Sequence, residues 1–241
     1  MTVPHKAHPI QTGTPAEFDA YDRNYNEVVD RALSFSGLTV DFFTRVKADY
    51  FLELLASSAS PAKRPDVIDI GCGIANSHPL LTGHFGRLVG VDVSTACIAA
   101  AAARNPQNEY ATFDGLNLPY SAESFDAASA VCVFHHVPMT DRVRLASNVR
   151  RVLRPGGIFV IFEHNPLNPI TLHVVSNCEF DKDAVLLRKR ETEKLLAEAG
   201  FREISTRFIL SVPAKGRVWR GIDRLFARMP FGAQYYSVAR T

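Results

Sequence analysis

The chain has 241 residues and 26.6 kDa, with 46% hydrophobic residues, 22% charged residues and a formal net charge of +2. This composition supports a full globular core and excludes a disordered, collagen-like or disulfide-dense chain, and the balanced charge carries no nucleic-acid signature. Cys72, Cys97, Cys132 and Cys178 form no CxxC pair of the kind that holds zinc or a redox couple; with no apolar leader in MTVPHKAHPI, free thiols and a cytoplasmic location are expected.

Residues 1–14 read as a loose tail and 15–60 as a helical cap, in which Leu33, Val40, Phe43, Val46, Tyr50, Leu54 and Leu55 recur at roughly helical spacing. SSASPAKRP, at 57–65, is a linker. Over 61–241 strands and helices alternate. Val67–Ile70 is a short apolar strand ending in glycines, and Leu88–Val91 a second, closed by Asp92. Ser94–Arg104 is an alanine-rich helix with Ser94 or Thr95 as its cap. Tyr110–Phe113 and Phe125–Phe134 are the third and fourth strands. Asp141–Leu153 is an amphipathic helix stopped by Pro155-Gly156-Gly157, and Ile158–Phe162 is the fifth strand. A helix over Arg190–Ala199 ends at Gly200, and strands follow at Phe201–Val212 and Gln234–Ala239. This is the pattern of an α/β chain with a doubly wound, mostly parallel seven-stranded sheet. Such sheets bind ligands at the carboxyl ends of their strands.

VIDIGCGIAN, at 67–76, is the sharpest motif. Gly71 and Gly73 follow a strand directly and let the backbone turn and approach a ligand. A dinucleotide GxGxxG would need glycine at 76, where the chain has Asn76. Asp92 ends the second strand, where an acid can accept both hydroxyls of a ribose; it can equally cap the following helix. Asp114, after the third strand, can receive an adenine amino group or form an Asx-turn before Gly115.

Asp69, Gly71, Gly73, Asp92, Asp114, FDAASAVCVFHHV and VLRPGGIFVIFEH together resemble class I S-adenosylmethionine-dependent methyltransferases, with the ubiquinone/menaquinone-biosynthesis type as the nearest branch. Ala75 departs from that family's third glycine, and the stretch Asn165–Leu187 is long for the connection after the fifth strand. The resemblance implies a Rossmann-like methyltransferase fold with S-adenosylmethionine as cofactor. It implies Gly71, Cys72 and Gly73 under the methionine part, Asp69 bracing that loop, and Asp92 on the ribose with Val93 against the adenine. Phe113, Asp114 and Gly115 would lie at the adenine edge, Val131 and Cys132 at the amino group, and Tyr25 of the cap at the carboxylate.

Methyl transfer needs an oriented nucleophile, excluded water and, for an oxygen of high pKa, a base. His135 and His136 end the fourth strand and are candidate bases; neighbouring strand residues point to opposite faces, so one of them is expected to reach the acceptor. Glu163, His164 and Asn165 form a second polar cluster that either handles substrate or anchors a loop. The HH and EH pairs lack the i, i+4 spacing of a zincin, and no metal is expected.

The cap, 165–187 and 213–232 are the expected substrate-selecting parts. KGRVWRGIDRLFARMP, at 215–230, sets Val218, Ile222, Leu225 and Met229 against Arg217, Arg220, Arg224 and Arg228, either to face an anionic membrane or as the solvated side of a packed helix. Between 182 and 228 there are twelve Lys and Arg against six Asp and Glu, which favours an acidic or lipid-linked acceptor. The expected activity is methyl transfer to a small-molecule, lipid or glycan-precursor acceptor at oxygen or carbon, without a nucleic-acid partner and with the oligomeric state open. The alternatives are a non-catalytic cofactor-binding module and a nicotinamide-dependent oxidoreductase.

Overall fold

Apolar runs too short for helices and bounded by glycine-rich turns pair here into one sheet. The structure, a computed structural model, describes residues 25–33, 37–58, 64–181, 183–212 and 217–241. The strands are β1 (Asp66–Ile70), β2 (Arg87–Asp92), β3 (Glu109–Thr112), β4 (Phe125–Val131), β5 (Leu153–His164), β6 (Arg202–Ile209) and β7 (Gln234–Arg240). Their order is β3-β2-β1-β4-β5-β7-β6. All neighbouring pairs are parallel except those of β7, which runs antiparallel to both β5 and β6. The helices are α1 (Tyr25–Leu33), α2 (Val40–Ser58), α3 (His78–Leu81), α4 (Thr95–Arg104), α5 (Arg142–Val152), α6 (Pro169–Asn177), α7 (Lys189–Glu198) and α8 (Arg217–Leu225).

The central strands are buried on both faces, which is why they read as continuous apolar runs. Alternate β5 residues divide between two cores. Phe159 and Ile161 pack with Leu145 and Val149 of α5 and Leu195 and Leu196 of α7. Val160 and Phe162 pack with Phe42, Tyr50, Phe51 and Leu55 of α2. Each such side chain contributes about 1.5–3 kcal/mol on burial. Ser94 caps α4, its Oγ accepting from Cys97 N at 3.0 Å, and Gly200 at φ +88° turns the chain after α7. The strand order reverses between β1 and β4, which opens a crevice above their carboxyl ends. Among the described residues no helix is long and apolar enough to cross a membrane.

Several boundaries differ from expectation. β4 stops at Val131 because Cys132 takes a left-handed backbone, φ +58°, so His135 and His136 lie in a turn beyond the strand. β5 begins at Leu153 and absorbs Pro155-Gly156-Gly157, with the register slipping between Phe125 and Ala127 on β4. The short α3 had no periodic signal, and α8 ends at Leu225 rather than running to 230. The expected tail at 1–14, the start of the cap and the Tyr25 side chain lie outside the described residues.

Candidate active site

The loop after β1 is drawn tight by its own backbone. Gly71 and Cys72 N–H groups donate to Val91 O at 2.7 and 3.0 Å. Gly71 has φ +67°, and a Cβ there would lie 2.6 Å from Val133 Cγ2. Gly73 has φ +52°, but a Cβ there would meet nothing within 4 Å. The first glycine is required by packing, whereas the second faces open space. Asp92 fastens this loop, accepting from Gly73 N at 2.8 Å through Oδ2 and from Ser94 N at 2.9 Å through Oδ1. Burial raises its pKa, against the pull of those amides. Val93 N–H is a third backbone amide on the same carboxylate.

Asp69 accepts from Ser129 Oγ at 2.7 Å, and its other oxygen lies 3.3 Å from His78 Nε2. His78 in turn stacks on Tyr110 and meets the Tyr110 hydroxyl at 2.7 Å. Ser129, His78 and Tyr110 were not singled out from the sequence, because a lone histidine after a glycine loop carries no spacing signal. Asp114 is exposed, and its oxygens accept from Leu116 N at 2.8 Å, Asn117 N at 2.6 Å and Asn117 Nδ2 at 2.6 Å. The Asn117 and Leu116 bonds hold its pKa below the usual range. The Asx-turn reading of Asp114 is therefore realised, and the residue also lines the cavity described next.

A cavity of about 830 Å³ lies over the carboxyl ends of β1, β2 and β4, roofed by α1 and α2. Asp69, Gly71, Cys72, Gly73, Asp92, Val93, Phe113, Asp114, Gly115, Val131 and Cys132 all line it. His135 and His136 line it as well. Their ring centroids are 4.1 Å apart at 52°, so the expected alternation to opposite faces does not hold; a turn, not a strand, presents them.

Glu163 is a correction of another kind. It is fully buried behind the histidines, away from the cavity lining. Its Oε1 accepts from Phe134 N at 2.8 Å, and its Oε2 lies 2.5 Å from His135 Nδ1. It positions the turn rather than meeting an acceptor. Asp181, on a 3-10 turn at Glu179–Asp181, lies 3.3 Å from His135 Nε2 and 3.5 Å from His136 Nε2. Burial opposes charge on His135, but Glu163 and Asp181 outweigh it and hold its pKa well above the ordinary value. Burial and the neighbouring His135 push His136 down to about 3. Arg142 pins this arrangement, donating to Val137 O at 2.9 Å and Val185 O at 2.8 Å, while Val185 N donates to His135 O at 2.9 Å.

Cys132 also lines the cavity. Burial alone would raise its pKa, but Lys47 of α2, 3.8 Å from Sγ, and His164 bring it down to about 7. Gln234 Nε2 lies 3.9 Å from the same sulfur. Gln234 Oε1 and Ser211 Oγ are buried on the cavity wall without a hydrogen-bond partner among the described residues. Neither was expected from the sequence. Asn165 is a loop anchor, donating to Pro230 O and Gly232 O at 3.0 and 2.7 Å. Asp223 likewise ties α8 down, accepting from Tyr50 OH at 3.1 Å, Leu210 N at 2.9 Å and Ser211 N at 2.7 Å. Arg224 pairs with Glu53. Leu225, Met229 and Phe231 stay exposed, and the side chains of 217–220 lie outside the described residues.

Residues 68–161 match the family described as methyltransferase domain. The chain is 26% identical over 175 residues to squalene methyltransferase 2 of Botryococcus braunii, covering 67% of this chain and 46% of that one. It is 27% identical over 210 residues to 24-methylenesterol C-methyltransferase 2 of Oryza sativa subsp. japonica, covering 81% and 56%. The chain thus spans about half the length of these two relatives. A solved structure of a SAM-dependent methyltransferase from Thermotoga maritima superposes with a TM-score of 0.63 at 19% identity, over 91% of this chain and 97% of that one, and shows the same fold.

Proposed function

We propose, from the premise that residues 68–161 are a class I S-adenosylmethionine-dependent methyltransferase domain, that the protein transfers a methyl group to an apolar small-molecule or lipid acceptor at oxygen or carbon. The observation that carries this reading is one continuous cavity with two chemically distinct ends. The glycine loop and the strand-end acids form one end, the histidine turn the other.

The residues present fit the cofactor. Gly73 leaves open space over the loop, Asp92 stands on the cavity wall beside it, and Asp69 is braced from two sides. When bound, S-adenosylmethionine supplies a methyl on a positively charged sulfur, an electrophile that needs little further activation. Asp92 would hold the ribose, and Val93, Phe113 and Gly115 would flank the adenine. Asn76, which donates to Asn26 Oδ1 at 2.8 Å, ties the loop to α1 and so favours a cap that closes over the site. It also stands where a nicotinamide-binding loop would carry glycine, against the oxidoreductase reading.

At the other end Val29, Leu33, Phe43, Val174 and Phe180 offer an apolar wall, with Gln234 and Ser211 as polar handles. Such a wall suits an acceptor with a hydrocarbon body. The squalene and sterol relatives named above favour the same class. The exposed Leu225, Phe226 and Met229 support a contact with a membrane surface through 215–230. Cys72, Cys97, Cys132 and Cys178 form no disulfide with one another, which supports work in a reducing compartment such as the cytoplasm. The withdrawal of Glu163 from the cavity favours, as the second reading, a cofactor-binding module without turnover.

Calorimetric titration with S-adenosylhomocysteine, with NAD as control, tests the premise. Micromolar binding of the former alone is expected, and Asp92→Ala should weaken it by about 1–3 kcal/mol. NAD binding in its place overturns the reading. S-adenosylhomocysteine binding with no turnover on hydroxylated or unsaturated apolar acceptors selects the module.

A further inference from the structure

The geometry points to a divalent transition-metal site at the acceptor end of the cavity, formed by His135, His136 and Asp181. The candidate ligand atoms of these three residues all lie within 4.8 Å of one another. Asp181 Oδ1 is 3.3 Å from His135 Nε2 and 3.5 Å from His136 Nε2. A metal with bonds of about 2.0–2.2 Å to nitrogen and oxygen sets its ligands roughly 3.0–3.6 Å apart, so two of the three edges already have the required length. The three side chains come from two separate parts of the chain, the turn after β4 and the 3-10 turn at Glu179–Asp181, and all face the same cavity.

The groups behind the ligands have the form that metal sites use. Glu163 Oε2 lies 2.5 Å from His135 Nδ1, which turns the opposite nitrogen, Nε2, toward the cavity. A carboxylate behind a histidine fixes the tautomer and raises the basicity of the ligating nitrogen. The Arg142 bonds to Val137 and Val185 hold the two turns in register, so the ligand set is organised before any ion arrives. Two imidazoles and one carboxylate suit a borderline ion such as zinc, cobalt or ferrous iron better than magnesium or calcium, which take mainly oxygen. Three protein ligands on a cavity wall leave coordination positions open on the cavity side, the arrangement of reactive rather than structural sites. An oxygen of the acceptor, a hydroxyl or a carbonyl, would occupy that open face. This role rests on the proposed methyl transfer; the binding of the ion does not.

The test is cobalt(II) uptake by the untagged, chelator-stripped chain, followed by calorimetry and visible absorption, with S-adenosylhomocysteine titrated in parallel. One equivalent of cobalt with a nitrogen- and oxygen-ligated d–d spectrum is expected. Asp181→Ala and His136→Ala should each lower the affinity at least tenfold. Glu163→Gln should lower it roughly 10- to 100-fold although it touches no ion. Cys132→Ser should leave the spectrum unchanged. S-adenosylhomocysteine binding in each variant reports that the cofactor half is intact. Absence of stoichiometric uptake by the parent chain overturns the proposal, as does uptake indifferent to Asp181 and His136, or a sulfur-to-cobalt band that vanishes with Cys132. Cobalt uptake without S-adenosylhomocysteine binding would leave the site standing and remove the methyl-transfer role.

Discussion

Gly71 and Gly73 share a left-handed backbone, yet a methyl group added to each would act on different properties. At Gly71 it adds a collision with Val133 to a conformational cost of about 1–2 kcal/mol. Gly71→Ala should therefore lower the melting temperature and abolish S-adenosylhomocysteine binding together. At Gly73 the methyl would enter open space. Gly73→Ala should lose about 1 kcal/mol of stability or little more, with the larger loss in cofactor affinity. Cys132 gives a pH-dependent test. Its pKa, lowered to about 7 mainly by Lys47 and His164 against burial, makes it a thiolate near neutrality. Iodoacetamide labelling at Cys132 should reach half its maximal rate near pH 7, shift upward in Lys47→Ala, and slow when S-adenosylhomocysteine is bound. Because the folded pKa lies below the unfolded value of 9.0, this thiolate stabilises the folded chain fully above that value and ceases to do so as the pH falls through about 7.

Elements that announce themselves do so because their burial imposes a period. The strands, the capped α4 and the glycine-stopped α7 were all legible, since two-sided burial writes continuous apolar runs and helix ends need particular residues. So were the acids and glycines at strand ends, which the sheet topology necessarily gathers over one crevice. The end of β4 was not legible, because a left-handed Cys132 carries no side-chain signature. That single dihedral moves both histidines onto one wall. Asp181 was invisible for another reason: it reaches the histidines only through the packing of α6 and the 3-10 turn, which no local pattern encodes. For α8 the informative residue is Asp223, the acid among the arginines. Asp223→Ala would leave Leu210 N, Ser211 N and Tyr50 OH without their acceptor. It should cost about 1–3 kcal/mol for the buried groups left unsatisfied, measured by urea denaturation. Cofactor affinity should change little, since α8 lies away from the glycine loop.

For the molecule as a whole, stability depends on the central strands shared by two cores. Phe159 is fully buried in one of them. Phe159→Ala should cost about 3–5 kcal/mol, a large part of the roughly 5–15 kcal/mol that holds a domain of this kind together. Chemical denaturation with fluorescence and circular dichroism should show both signals shifting in step, because loosening β5 loosens both layers at once.

The position of β7 between β5 and β6 also dictates an order of events during synthesis. When β6 emerges from the ribosome, the strand that will hold it to β5 has not yet been made. The apolar edge of β5 must then wait, exposed, until Gln234–Arg240 follows. A stop anywhere between the two strands would leave a nascent chain with the cofactor half assembled and an adhesive edge uncovered, so the last strand acts as the seal on the sheet.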